Sequence, residues 1–128
     1  MALLITELTQ DVSYITEAKE SGEKVHYITG RFITCDEQNK NGRIYESHII
    51  SPEVLRYISE VINVNRAFGE LGHPSGPSVN LDRVSHIITE LKQDGKYYIG
   101  KAKLTETPMG QIAIGLLKSG GQLGVSTR

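Results

Sequence analysis

Two stretches of this chain carry side chains that could do chemistry together. Gly124-Val125-Ser126-Thr127-Arg128 offers a hydroxyl in a glycine-flanked setting, and Glu70-Leu71-Gly72-His73-Pro74, about fifty residues earlier, offers an imidazole beside a proline. A serine hydroxyl is a poor nucleophile until a base takes its proton, and histidine is the side chain best suited to that near neutral pH. The chemistry these types suggest is Ser126 as nucleophile and His73 as its base. Gly72 permits close backbone approach, and Pro74 restricts His73 to extended conformations. An exposed loop histidine and a turn serine with no chemical role are the plain alternatives. Arg128 stands where the second glycine of a Gly-x-Ser-x-Gly elbow would fall, so the α/β-hydrolase motif is absent. Asp82 and Glu70 could orient an imidazole or could equally be solvated charges.

The remaining polar residues point less far. His26, His48 and His86 are scattered, without His-Glu-x-x-His spacing, and Cys35 is the lone cysteine. That excludes an internal disulfide and a cysteine-based zinc site, so neither metal nor cofactor is expected, and it fits a reducing compartment. His86 lies among apolar residues as a packed or surface strand position. Gly120-Gly121 lacks the lysine and spacing of a phosphate-binding loop and reads as a helix stop. A net charge of −1 without a basic block gives no nucleic-acid footprint. The apolar start reaches Glu7 too soon for a signal peptide, and no run is long enough to span a membrane.

The elements that must position the two stretches follow from periodicity. At 128 residues the chain is one domain, 1–128, with a single core. Residues 3–19 predict one or two short strands, and 24–35, rich in β-branched and aromatic residues, a longer strand bulged at Gly30. Residues 36–42 are the most polar run and form an exposed loop. Ser51-Pro52-Glu53 predicts a helix start, with Val54, Leu55, Ile58, Val61 and Ile62 on one apolar face through about Val64. A short strand over 67–71 delivers Gly72-His73-Pro74. Residues 83–91 and 96–104 predict a hairpin around a type I′ turn at Asp94-Gly95. A second helix runs from Thr107-Pro108 to about Lys118, burying Ile112, Ala113, Leu116 and Leu117, and a last strand over 123–127 carries Ser126. The order is β-rich with two helices and no βαβ repeat: an α+β fold with a curved, barrel-like sheet.

Taken together, Asn39-Lys40-Asn41-Gly42-Arg43-Ile44-Tyr45, Gly69-Glu70-Leu71-Gly72-His73-Pro74, Val79-Asn80-Leu81-Asp82, Gly100-Lys101-Ala102-Lys103 and Gly124-Val125-Ser126-Thr127-Arg128 resemble, in order and spacing, the prohead core (capsid maturation) serine proteases of T-even-like tailed bacteriophages. The family pattern reads Gly-Glu-Leu-x-His-Pro and then Gly-Val-Ser-Ser-Arg-Gly, so Thr127 replaces a serine. The resemblance covers roughly residues 26–128. It implies a herpesvirus-assemblin-like barrel with surrounding helices, His73 as base, Ser126 as nucleophile, and Arg128 adding positive charge near the oxyanion. It also implies cleavage of phage scaffold or core proteins, the major capsid protein and the protease itself. The setting is the prohead interior, assembled in the host cytoplasm, with self-association there and no nucleic-acid or membrane partner.

The family continues past this motif, so the third catalytic group is expected beyond residue 128, and these residues are read as the N-terminal part of a protease domain. An incomplete barrel with an open edge at Ser126, prone to association, is expected to follow. The rival reading is a non-catalytic assembly module of a phage head or tail on a related barrel. The family's preference for glutamate preceded two positions earlier by Ile or Leu adds a further expectation. Six such triplets end at Glu7, Glu17, Glu46, Glu60, Glu90 and Glu106, where composition alone gives about two. Strand alternation inflates that count. Self-cleavage is expected after Glu7 or Glu17.

Overall fold

Tyr97–Leu104 alternates strictly, with Tyr98, Gly100, Ala102 and Leu104 buried and the residues between them half-exposed. That period of two is a strand with one face on a core. The computed structural model of the chain describes residues 3–6, 10–38, 42, 44–72 and 78–127. In order these form β1 (Leu3–Thr6), β2 (Gln10–Asp11), β3 (Ser13–Ala18), β4 (Lys24–Thr34), α1 (Ser47–Tyr57) with a π-helical continuation Ile58–Ile62, and β5 (Phe68–Leu71). After a 3-10 turn Leu81–Arg83 come β6 (Val84–Asp94), β7 (Tyr97–Leu104), α2 (Pro108–Lys118) and β8 (Gly124–Thr127).

The strands lie in the order β2-β8-β1-β5-β6-β7-β4-β3, with β1 and β5 parallel and every other pair antiparallel. β2 and β3, at the two ends of that order, are one stretch of chain interrupted at Val12, whose N–H donates to Leu123 O at 3.2 Å. The stretch pairs with β8 through its first residues and with β4 through the rest. The sheet is thereby closed into a barrel, and the α+β class with two flanking helices is as expected. β8 lies between β1 and β2 at Gly124 and Val125, while at Ser126 and Thr127 the described pairing is with β1 alone. One core cluster joins the barrel residues Ile28, Phe32, Ile88 and Ala102 to Val54 and Ile62 of the first helical segment and Ala113, Ile114 and Leu117 of α2.

Several local expectations shift for identifiable reasons. α1 begins at Ser47 rather than Ser51, and its first amide is satisfied from a distance. The Asp36 carboxylate accepts the Ser47 N–H at 3.0 Å and the Ser47 hydroxyl, and these bonds hold its pKa below the usual value. Ser51 instead hydrogen-bonds the Tyr98 hydroxyl at 2.8 Å, and Pro52 sits inside the helix. Leu55 is 68% exposed and does not belong to the buried face. The bulge of β4 falls between Arg31 and Ile33, not at Gly30, and the Phe32 ring lies across Gly100.

The β6–β7 hairpin turns at Gly95 and Lys96, with Gly95 at φ 62 and no positive φ at Lys96. That is the pattern of a II′ rather than a I′ turn. α2 buries Gly110, Ala113, Ile114 and Leu117, while Ile112 and Leu116 stay exposed. The backbone approach at Gly110, where a Cβ would lie 2.0 Å from Thr105 O, sets this rotation.

Candidate active site

Three adjacent strands carry the described residues of the candidate site. β8 pairs antiparallel with β1, placing Ser126 opposite Leu4, and β1 pairs parallel with β5, placing Leu4 opposite Glu70. Ser126 and Glu70 thus occupy one cross-strand row with a single residue between them, a backbone separation of about 10 Å from the usual strand spacing. β5 ends at Leu71. Gly72 follows at φ 83, a left-handed conformation that turns the chain out of the sheet and that glycine adopts without a Cβ penalty. His73 and Arg128 lie outside the described residues, as do Pro74 and Pro77, and of Ser126 only the backbone is described.

The two candidate acids part company. Glu70 is 1% exposed, and its carboxylate accepts the backbone N–H of Asn80. Asp82 is exposed on the 3-10 turn. The register of β5 on β6 shifts between Gly69 and Glu70, so that Gly69 faces His86 and Glu70 faces Val84. Such a bulge re-aims the side chains beside it.

His86 is fully buried, with Nδ1 at 2.9 Å from the Ser85 hydroxyl, and its ring covers Gly69. Burial alone pushes its pKa down to about 4, so it is a neutral packed imidazole. His26 stacks on Tyr14 and hydrogen-bonds its hydroxyl at 2.5 Å, and burial, then Lys118 and Lys24, lower its pKa. His48 is exposed near Glu46. Among the described residues no three His, Cys, Asp or Glu side chains converge as metal ligands. No described helix is long and apolar enough to cross a membrane.

One residue at this place was not singled out from the sequence. Arg83, at the end of the 3-10 turn, donates from Nη2 to Leu71 O at 2.7 Å, and its Nε is buried without a hydrogen-bond partner among the described residues. The available signal was a lone cation opening the run Val84-Ser85-His86-Ile87-Ile88.

Residues 8–128 match the family described as prohead core protein serine protease. The chain belongs to that family. Among curated proteins it is similar to the prohead core protein protease of Enterobacteria phage T4, 31% identical over 105 residues that make up 80% of this chain and 49% of the relative. The chain therefore spans about half the length of the curated relative it matches. Among solved structures, the bacteriophage T4 capsid assembly protease superposes with a TM-score of 0.80 at 25% identity, covering 98% of this chain and 82% of the other. The family membership accords with the barrel, the two helices and the order of motifs described above.

Proposed function

We propose that the protein is a serine endopeptidase of phage head maturation, with Ser126 as nucleophile and His73 as base. The observation that carries this is the register of β8, β1 and β5. It sets the strand Gly124–Thr127 two strands from β5, which Gly72 and His73 follow in sequence, in a chain of the prohead protease family. Ser126 Oγ attacks the scissile carbonyl as His73 accepts its proton, and the proton then passes to the leaving amine as the C–N bond breaks. Water then gives a proton to His73 and attacks the acyl ester, and the C–Oγ bond breaks as His73 returns the proton to Ser126 Oγ, freeing the acid product. Backbone amides near Ser126, assisted by the charge of Arg128, stabilise the oxyanion.

Of the two in-chain acids, Glu70 is the one we assign to orient the imidazole. It is buried, hydrogen-bonded and on the strand that runs into His73, whereas Asp82 faces solvent. The substrates are core and capsid proteins of the immature head, met in its interior. Self-cleavage after Glu17 requires β3 to leave β4, since Glu17 pairs with Val25 and its carboxylate meets Lys101 Nζ at 3.1 Å. Glu7 lies outside the described residues.

The test uses the full-length gene product. A fluorophosphonate probe labels it at Ser126, and Ser126→Ala and His73→Ala each abolish processing of a scaffold substrate. Normal processing by Ser126→Ala refutes the assignment and leaves the non-catalytic assembly module as the reading.

A further inference from the structure

β5 ends at Leu71, and its end, with Gly72 after it, is tied from the residues that lead into β6. The Asn80 N–H binds the Glu70 carboxylate, and Arg83 Nη2 binds Leu71 O at 2.7 Å. Both ties fall where the β5–β6 ladder runs out, since its last pair is Glu70 with Val84. Arg83 N–H also donates to Asn80 O at 3.0 Å, so the two tying residues are held to each other by the 3-10 turn. The guanidinium further lies 3.3 Å from the position a Cβ would take on Gly72, filling the space beside the residue that precedes His73. A planar fork with several donors on a long stem suits this place, because it bonds one carbonyl and braces the backbone next to it. The Arg83 Nε is buried and bonded to nothing described, a cost that a purely solvent-facing arginine avoids.

We propose that Arg83 is a positioning residue for the reaction. With the Asn80–Glu70 tie it sets the angle at which the chain departs from β5, and so the placement of His73 against Ser126. This rests on the reading of His73 as the base. Arg83 acts through the Leu71 carbonyl and the Gly72 backbone and does not touch the reacting atoms. A small misplacement of a general base lowers the rate of the chemical step far more than it lowers substrate binding.

The experiment compares full-length wild type, Arg83→Met and Arg83→Lys for kcat, KM and Tm on a peptide substrate. Arg83→Met is expected to lower kcat about ten- to a hundredfold with KM within about twofold and Tm near wild type. Arg83→Lys, which keeps charge and reach but not the fork, falls between the two. A wild-type kcat in Arg83→Met overturns the proposal. So does a loss of kcat that merely tracks a loss of Tm, which would make Arg83 a structural residue only. Where Arg83→Met does not fold, Arg83→Lys decides: reduced kcat at wild-type Tm supports the proposal, and unchanged kcat overturns it. His73→Ala separates the two levels of inference. Activity surviving in His73→Ala sinks the catalytic reading, whereas an inactive His73→Ala beside an unaffected Arg83→Met sinks the role of Arg83 alone.

Discussion

Replacing Gly69 with alanine puts a methyl group into the His86 ring. A Cβ built on Gly69 lies 2.0 Å from His86 Nε2, 2.3 Å from Cε1 and 2.7 Å from Cδ2, against 3.4–4 Å for ordinary contact. The ring cannot swing into solvent, because His86 is 0% exposed and Nδ1 is tied to Ser85. Relief must come from parting β5 and β6 or from breaking that tie. Overpacking of this kind costs typically about 1–3 kcal/mol, and an overlap with a ring hemmed in on all sides belongs at the upper end. In a domain of this size about 3 kcal/mol lowers Tm by about 10 °C.

The assay is urea unfolding of wild type, Gly69→Ala, His86→Ala and the double variant. In the double variant the new methyl enters the space the ring has left. Its loss of stability is therefore expected to be about 2 kcal/mol less than the sum of the single losses. A Gly69→Ala protein within about 0.5 kcal/mol of wild type, or strictly additive losses, refutes the contact as the cause. Because Gly69 precedes Glu70, the single variant should also lose activity, and the double variant should regain part of it.

Three further expectations follow from the same structure. His86 is held neutral with a pKa of about 4 against an unfolded value of 6.5, so the unfolded state binds more protons between those values. Its contribution is complete above pH 6.5 and is lost as pH falls toward 4, a total on the order of 3 kcal/mol that His86→Leu should remove when unfolding midpoints are compared across that window. Thr107→Ala removes the acceptor of the Gly110 N–H, at 3.2 Å, and the bond to Val84 O; urea unfolding should show a loss of about 1–2 kcal/mol, with Thr107→Ser near wild type. Gly72→Ala forces a Cβ into φ 83 beside Arg83, and should cost about 1–2 kcal/mol while lowering kcat by more than the stability loss explains.

What could be read from the chain and what could not divides along the range of the interactions. The β6–β7 hairpin and α2 were legible because their signals are local: a Gly95 turn between alternating runs, and Thr107-Pro108 ahead of an apolar stretch. The start of α1 was not, because the group that satisfies its first amide is Asp36, eleven positions before Ser47 in sequence. Ile112 and Leu116 read as buried because periodicity defines an apolar face without its rotation, which here depends on Gly110 against the Thr105 carbonyl. At the site, Glu70 and Asp82 are equivalent as letters, and only burial separates them. Arg83 was invisible for the same reason as Asp36, since its partner is a backbone carbonyl twelve positions away.

The split strand that closes the barrel has a consequence for the order of assembly. β8 pairs with β1 along its length and with β2 at Gly124 and Val125, both strands from the opposite end of the sequence, with Leu4 and Ser126 more than a hundred positions apart. Pairings at such separation carry the largest loop-closure entropy and form late, while the β6–β7 hairpin zips locally within microseconds. As the ribosome delivers the chain, β1 can meet β5 once residue 71 has emerged, but the places of β1 and β2 beside β8 stay empty until residues 124–127 arrive. Seating of the Ser126 strand is therefore a late event of folding, and a nascent chain still short of residue 124 has no strand on which the proposed nucleophile could stand.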